Sequence, residues 1–237
     1  MSLRRKPRPR EGGGRLVNTA TGCGKQHPDP ATKETIACRD FKVRKYFVTL
    51  HIMIREFHPI SLRRRNSFGV DQRAAHLVEF ETAEDLRTFF AAGIPGRWTV
   101  LAGGNNILFT EDYDGVLLTP AARQIALVSD DGDEVRLRVD AGVEWDDLVE
   151  WAVQRGLWGI ENLSLIPGKA GAAPVQNIGA YGCEAKDAIR RVEMYCVETG
   201  TVLTLDAAHC GFGYRESVFK HDLKGRVIIT AVEIALS

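Results

Sequence analysis

Three segments of this 237-residue chain carry residues whose types and spacing suit chemistry. The first is Gly103-Gly104-Asn105-Asn106, set between the apolar runs Thr99–Ala102 and Ile107–Phe109, both of which read as strands. Glycines permit positive φ and let backbone N–H groups approach a ligand closely. Successive N–H groups in such a turn form a nest suited to phosphate, and the asparagines add donors without charge. A glycine turn that only joins two strands explains the same residues.

The second segment runs from Ile166 to Gly182 and holds four glycines, four alanines and two prolines. Pro167 and Pro174 fix φ and remove donors. Gly168, Gly171, Gly179 and Gly182 remove bulk, as do Ala172, Ala173 and Ala180. Backbone packed against a flat, rigid group would need this composition, with Gln176 and Asn177 able to bind that group's polar edge. The structural alternative is a tight buried loop with an architectural Asn177. The third segment is Gly211–Lys220, in which Arg215 lies among Phe212, Tyr214 and Phe219. A guanidinium among apolar groups calls for an anionic partner. Chemistry alone favours an ion pair with Glu216 or Asp222 over a substrate carboxylate.

The two glycine-rich segments suggest a large phosphate-bearing cofactor, but neither matches a P-loop or a Rossmann fingerprint. The segment from Gly22 to His27 begins like a fingerprint but lacks its last glycine. Cys23, His27 and Cys38 lack the usual zinc spacing, and no metal is expected.

Composition bounds the class. Hydrophobic content of 44% and charged content of 26% are ordinary for a folded soluble protein. No run approaches the ~20 apolar residues of a membrane span, and no signal peptide is legible. Five scattered cysteines read as free thiols in a reducing compartment, so the expected location is cytoplasmic. Residues 1–52 carry 12 Lys+Arg against 4 Asp+Glu, a charge of +8 that the rest of the chain cancels. They read as a disordered basic extension. A nucleic-acid-binding arm and a targeting peptide are the weaker readings. Organised sequence begins just after Met53, which suggests that residues 1–52 are not part of the native protein.

The elements that must position the three segments follow from periodicity. His76–Phe80 reads as a strand, and Thr82 can cap a helix over 83–92. Residues 135–141 alternate cleanly as a strand. Trp145, Leu148, Val149, Ala152 and Val153 form the apolar stripe of a helix ending near Arg155, with Gly156 as its C′ residue. Residues 192–197, 202–205 and 227–236 read as further strands, the last leaving an edge or face that could aggregate or recruit a partner. The class is α+β, strand-rich with a few helices.

Taken together, the segments 66–71, 101–109, 161–184 and 212–220 resemble, in order and spacing, the UDP-N-acetylenolpyruvoylglucosamine reductase family. The resemblance covers about residues 53–236. It implies the FAD-binding fold of the vanillyl-alcohol-oxidase or PCMH type, with a small subdomain over about 53–120 and a larger one over about 121–237. It implies FAD as cofactor and NADPH as hydride donor. The implied reaction reduces UDP-N-acetylglucosamine enolpyruvate to UDP-N-acetylmuramate, for peptidoglycan. Gly103, Gly104, Asn105 and Asn106 would hold the FAD pyrophosphate. Pro167, Gly168, Gly171, Ala172, Ala173, Gln176, Asn177, Gly179, Ala180, Tyr181 and Gly182 would line the cofactor, with Tyr214. Arg215 matches the family's active-site arginine, which orients the substrate carboxylate.

The sequence departs from the family in two ways. Ala172 and Ala173 stand where many members have hydroxyl or other small residues, which puts side-chain bonds to FAD there in doubt, and Ala102 replaces a common glycine. The family's substrate-binding lobe, its proton-donating serine and its catalytic glutamate have no counterpart, and Ser164 and Ser217 lie in other motifs. The expectation is therefore a flavoprotein of impaired or absent turnover, the alternative being a FAD-binding module.

Overall fold

The computed structural model describes residues 54–237. The expectations for residues 1–52 and Met53, including those for Cys23, His27 and Cys38, lie outside the described residues.

The first sheet contains β1 (Arg55–Phe57), β2 (Ile60–Ser61), β3 (Arg73–Phe80), β4 (Trp98–Val100) and β5 (Tyr113–Pro120). Its order is β1-β3-β5-β4, with β2 also on β3. The pairings β3–β5 and β4–β5 are parallel, while β1 and β2 run antiparallel to β3. Parallel strands need a crossover, and the helix α1 (Ala83–Ala91) supplies it between β3 and β4, which flank β5. Thr82 caps α1 as its sequence suggests: its side chain accepts from the Asp85 N–H, and the Asp85 carboxylate accepts from the Thr82 N–H. This reciprocal capping box satisfies donors that the first turn leaves orphaned.

The second sheet is wholly antiparallel, in the order β11 (Thr201–Asp206), β10 (Ile189–Cys196), β12 (Val227–Leu236), β7 (Val135–Asp140), β6 (Ile125–Asp130). Helix α2 (Trp145–Val153) packs most of its predicted stripe on this sheet: Trp145, Leu148, Val149 and Ala152 are buried, while Val153, expected in the stripe, is exposed. It stops at Val153, slightly before the expected end. Gly156 takes φ 71° two residues beyond the Gln154 cap, as a left-handed turn requires. The short ribbon β8 (Gly179–Ala180) and β9 (Cys183–Glu184) leads into the one-turn helix α3 (Ala185–Ala188).

Two expectations are corrected. Residues 107–109 form no strand; the chain after Asn106 crosses in irregular backbone to β5, which pairs with β3 and β4 at once. The final strand presents no edge. β12 lies between β10 and β7, buried on both faces, which is why its run is almost continuously apolar.

Helix α1 also joins the sheets. Phe90 stacks on Tyr195 of β10, with centroids 5.9 Å apart at 12°, and meets Trp98 of β4 edge-on at 5.6 Å. Val78, Phe80, Leu86, Leu118, Tyr195 and Ile228 close one core around it. Truncating a buried aromatic leaves a cavity that neighbours fill only in part. Phe90→Ala should therefore cost about 3 kcal/mol or more in urea unfolding, with one cooperative transition retained because the core spans both sheets.

Candidate active site

A cavity of about 490 Å³ lies between the two sheets. The end of β4 and the loop after it form one wall through Trp98, Thr99, Val100 and residues 102–107. The segment 167–178 forms the facing wall. Val227 and Ile229 of β12 and the turn at 219–225 close the floor.

The two walls come from loops far apart in sequence, yet they touch. The Asn106 side-chain N–H donates to Gln176 Oε1 at 3.1 Å. A Cβ on Gly103 would lie 3.3 Å from Gly168 Cα and 2.1 Å from Asn105 Oδ1. Gly104, at φ 67°, brings its backbone against residue 65: a Cβ there would stand 2.0 Å from the Arg65 carbonyl oxygen. Its own carbonyl accepts from Ser67 N–H, and Ser67 Oγ accepts from Asn105. Gly171 abuts Ala141, whose Cβ would be 2.5 Å from an added methyl group. Glycine at 104 and 171 is therefore required by close approach to backbone, not by a turn alone, while a side chain at 103 would first displace the Asn105 amide.

Of the predicted cofactor residues, Gly103, Gly104, Asn105, Asn106, Pro167, Gly168, Gly171, Ala172, Ala173 and Gln176 line the cavity together. Asn177, Gly179, Ala180, Tyr181, Gly182 and Tyr214 are not among its lining residues. Asn177 is fully buried and acts as a structural junction. Its amide donates to Glu184 Oε2 and to the Gly213 carbonyl, and its oxygen accepts from Lys186 N–H. It thereby ties the 161–184 segment to the 212–220 segment. Tyr181 and Tyr214 are exposed.

Arg215 is exposed, not enclosed by its aromatic neighbours, and makes no ion pair among the described residues. Glu216 is held instead by Lys220 and His221, whose bonds pull its carboxyl below the usual range. Arg215 Nη2 donates to the Gly179 carbonyl at 2.8 Å. Leu165, Asn177, Tyr181 and Arg215 are the four non-glycine residues with positive φ among the described residues. All four fall in the two motifs 161–184 and 212–220. Such conformations persist only where the surroundings enforce them, and they cluster at functional sites.

Sequence reasoning missed the charge of the cavity. Lys169, Lys220 and Lys224 line it, and no carboxylate does. Lys169 is buried with its ammonium donating to the Pro120 carbonyl at 2.9 Å. Burial pulls its pKa below that of an ordinary lysine, and Glu144 opposes the shift. The signal was a lysine inside a stretch of small residues. A close-packed backbone cradle with an apolar floor and three lysines in its lining fits a flat, anionic ligand such as a dinucleotide; of these, Lys220 already holds Glu216 and the Arg215 carbonyl with its ammonium. Ser164 and Ser217 are committed structurally: their hydroxyls donate to Asp146 and to the Val175 carbonyl.

The family model described as FAD binding domain matches residues 74–206, more than half of the chain, and the chain belongs to that family. Its fold is the α+β FAD-binding fold of the PCMH type. The UDP-N-acetylenolpyruvoylglucosamine reductase of Chromobacterium violaceum is 45% identical over 185 residues, 75% of this chain and 53% of that protein. The crystal structure of the Thermus caldophilus reductase of that name superposes with a TM-score of 0.65 at 28% identity, covering 78% of this chain and 63% of that one. The 6-hydroxy-D-nicotine oxidase of Arthrobacter nicotinovorans shares the fold alone, with a TM-score of 0.52 at 22% identity over 81% of this chain and 44% of that one. The chain spans about half the length of the curated relatives it matches.

Gly104 and Gly69 separate close approach from backbone preference. Both have left-handed φ, 67° and 65°, but a Cβ on Gly69 meets nothing within 4 Å. Gly69→Ala should cost about 1 kcal/mol and leave flavin content unchanged. Gly104→Ala adds a clash with backbone, so it should lower the melting temperature further and strip the flavin, as absorbance per chain would report.

Proposed function

We propose that the chain is the FAD-binding portion of a UDP-N-acetylenolpyruvoylglucosamine reductase, and that its site serves reduction of UDP-N-acetylglucosamine enolpyruvate in the cytoplasm. The observation that carries this reading is the cavity itself. Two motifs resembling that family meet across it through Asn106 and Gln176, with three lysines and no carboxylate in the lining.

In this reading the N–H groups of Gly103–Asn106 and the wall from Pro167 to Gln176 hold FAD. Lys169 supplies a cation that an anionic ligand would restore toward an ordinary pKa. Bound there, FAD would supply the hydride chemistry between NADPH and the enolpyruvyl double bond. The protein's contribution is position and charge. Arg215, held in its left-handed conformation and anchored to the Gly179 carbonyl, presents a fixed positive charge for the substrate carboxylate. Asn177 sets its place by gripping the Gly213 carbonyl two residues before it. A preorganised charge of this kind contributes ~10²–10³ in rate where negative charge develops.

A second reading is a module that holds FAD without turnover. The commitment of Ser164 and Ser217 to structural bonds favours it. A visible spectrum of the purified chain, with FAD and then NADPH added under argon, tests the proposal. Flavin absorbance that NADPH bleaches and the enolpyruvyl substrate restores supports the reductase; bleaching without restoration supports the module; no bound flavin contradicts both. Arg215→Lys should keep full flavin content and lower the rate of restoration by about 10²-fold, because Lys lacks the planar fork.

A further inference from the structure

Away from the cavity, on the first sheet, Glu56, His58 and His76 converge, each offering one ligand atom, with these atoms within 4.8 Å of one another. Strand pairing produces the cluster. Phe57 on β1 lies opposite Leu77 on β3, and Glu56 lies opposite Val78. The same register carries His58 to His76. Side chains alternate along a strand, so Glu56, His58 and His76 share a face. Arg55 points to the other face, where it pairs with Glu79 and Glu81. Among the described residues, the Glu56 carboxylate pairs with His58 and His76 and with no arginine.

The geometry is that of a ligand set. Glu56 Oε2 lies 3.2 Å from His76 Nε2 and 3.4 Å from His58 Nε2. A tetrahedron with metal–ligand bonds of ~2.0–2.1 Å has edges of roughly 3.3–3.4 Å. The two imidazoles lie close, with centroids 3.7 Å apart and planes tilted by 33°, an arrangement that two imidazolium ions would resist. The His76 Nε2 is enclosed, and although close to Glu56 it makes no well-aligned hydrogen bond. A buried nitrogen without a proper partner is an anomaly that a metal would resolve.

We propose that Glu56, His58 and His76 bind a divalent transition-metal ion of the zinc class, with water completing a tetrahedron. Two neutral imidazoles and one carboxylate suit Zn²⁺ and its neighbours better than Mg²⁺ or Ca²⁺, which take oxygen sets. The site would fasten the three-residue edge strand β1 to β3, the strand that pairs directly with β5.

The test uses the full chain, stripped by chelation and titrated with Co²⁺ and then Zn²⁺. Glu56 and His58 have side-chain exposures of 47% and 53%, so Glu56→Gln and His58→Ala can be made without opening the core. The expected result is one Co²⁺ per chain with the intense visible bands of a tetrahedral site, displaced by Zn²⁺. Each substitution should weaken binding at least tenfold, and Zn²⁺ should raise the melting temperature of the parent chain but not of the variants. Absence of tetrahedral Co²⁺ binding overturns the proposal. So does binding of equal strength in both variants, which would place the ion on the chain's thiols.

Discussion

The structure depends on a close approach between two backbones. The loop after β4 and the segment before β8 belong to opposite sides of the cavity, and at Gly103 and Gly168 they come near enough that a single methyl group would press into the partner's Cα. The Asn106–Gln176 bond closes that approach with a polar contact. Small residues are needed because atoms cannot overlap, and the asparagine and glutamine are needed because a polar seam requires partners. Within residues 166–182, Gly171 and Gly179 are held to glycine by close contacts, and Gly168 and Gly182 by positive φ.

Everything else holds the approach in place. The parallel pairs β3–β5–β4 deliver Thr99–Ala102 to the rim, and the capping box fixes where α1 leaves β3. Phe90 and Tyr195 lock α1 onto the second sheet, so the two walls cannot separate without opening a shared core. β12, buried on both faces, forms the floor. Asn177 then couples the small-residue segment to the turn that carries Arg215, with hydrogen bonds reaching 184, 186 and 213. One buried amide thus links the cofactor wall to the residue proposed to meet the substrate.

Local signals were legible and non-local ones were not. Thr82, the stripe from Trp145 to Ala152 and the alternation of 135–140 depend on neighbours in sequence, and each formed as its pattern suggests. β5 and β6 escaped the reading, and β12 read as exposed, because strand order depends on partners tens of residues away. Asn177 looked like a ligand residue because type and spacing say nothing of burial; the alternative of an architectural asparagine describes its surroundings. Lys169 was hidden by the small residues around it. Glu56, His58 and His76 are invisible as a group until the β1–β3 register brings them together.

Whether one ligand, FAD, engages both walls at once is measured by amide hydrogen exchange of the full chain, with and without saturating FAD. The expected result is strong slowing by FAD at 103–107 and at 168–176 together, with little change in β1, β2 or β11. Slowing confined to one of the two segments, or absent from both, would contradict it.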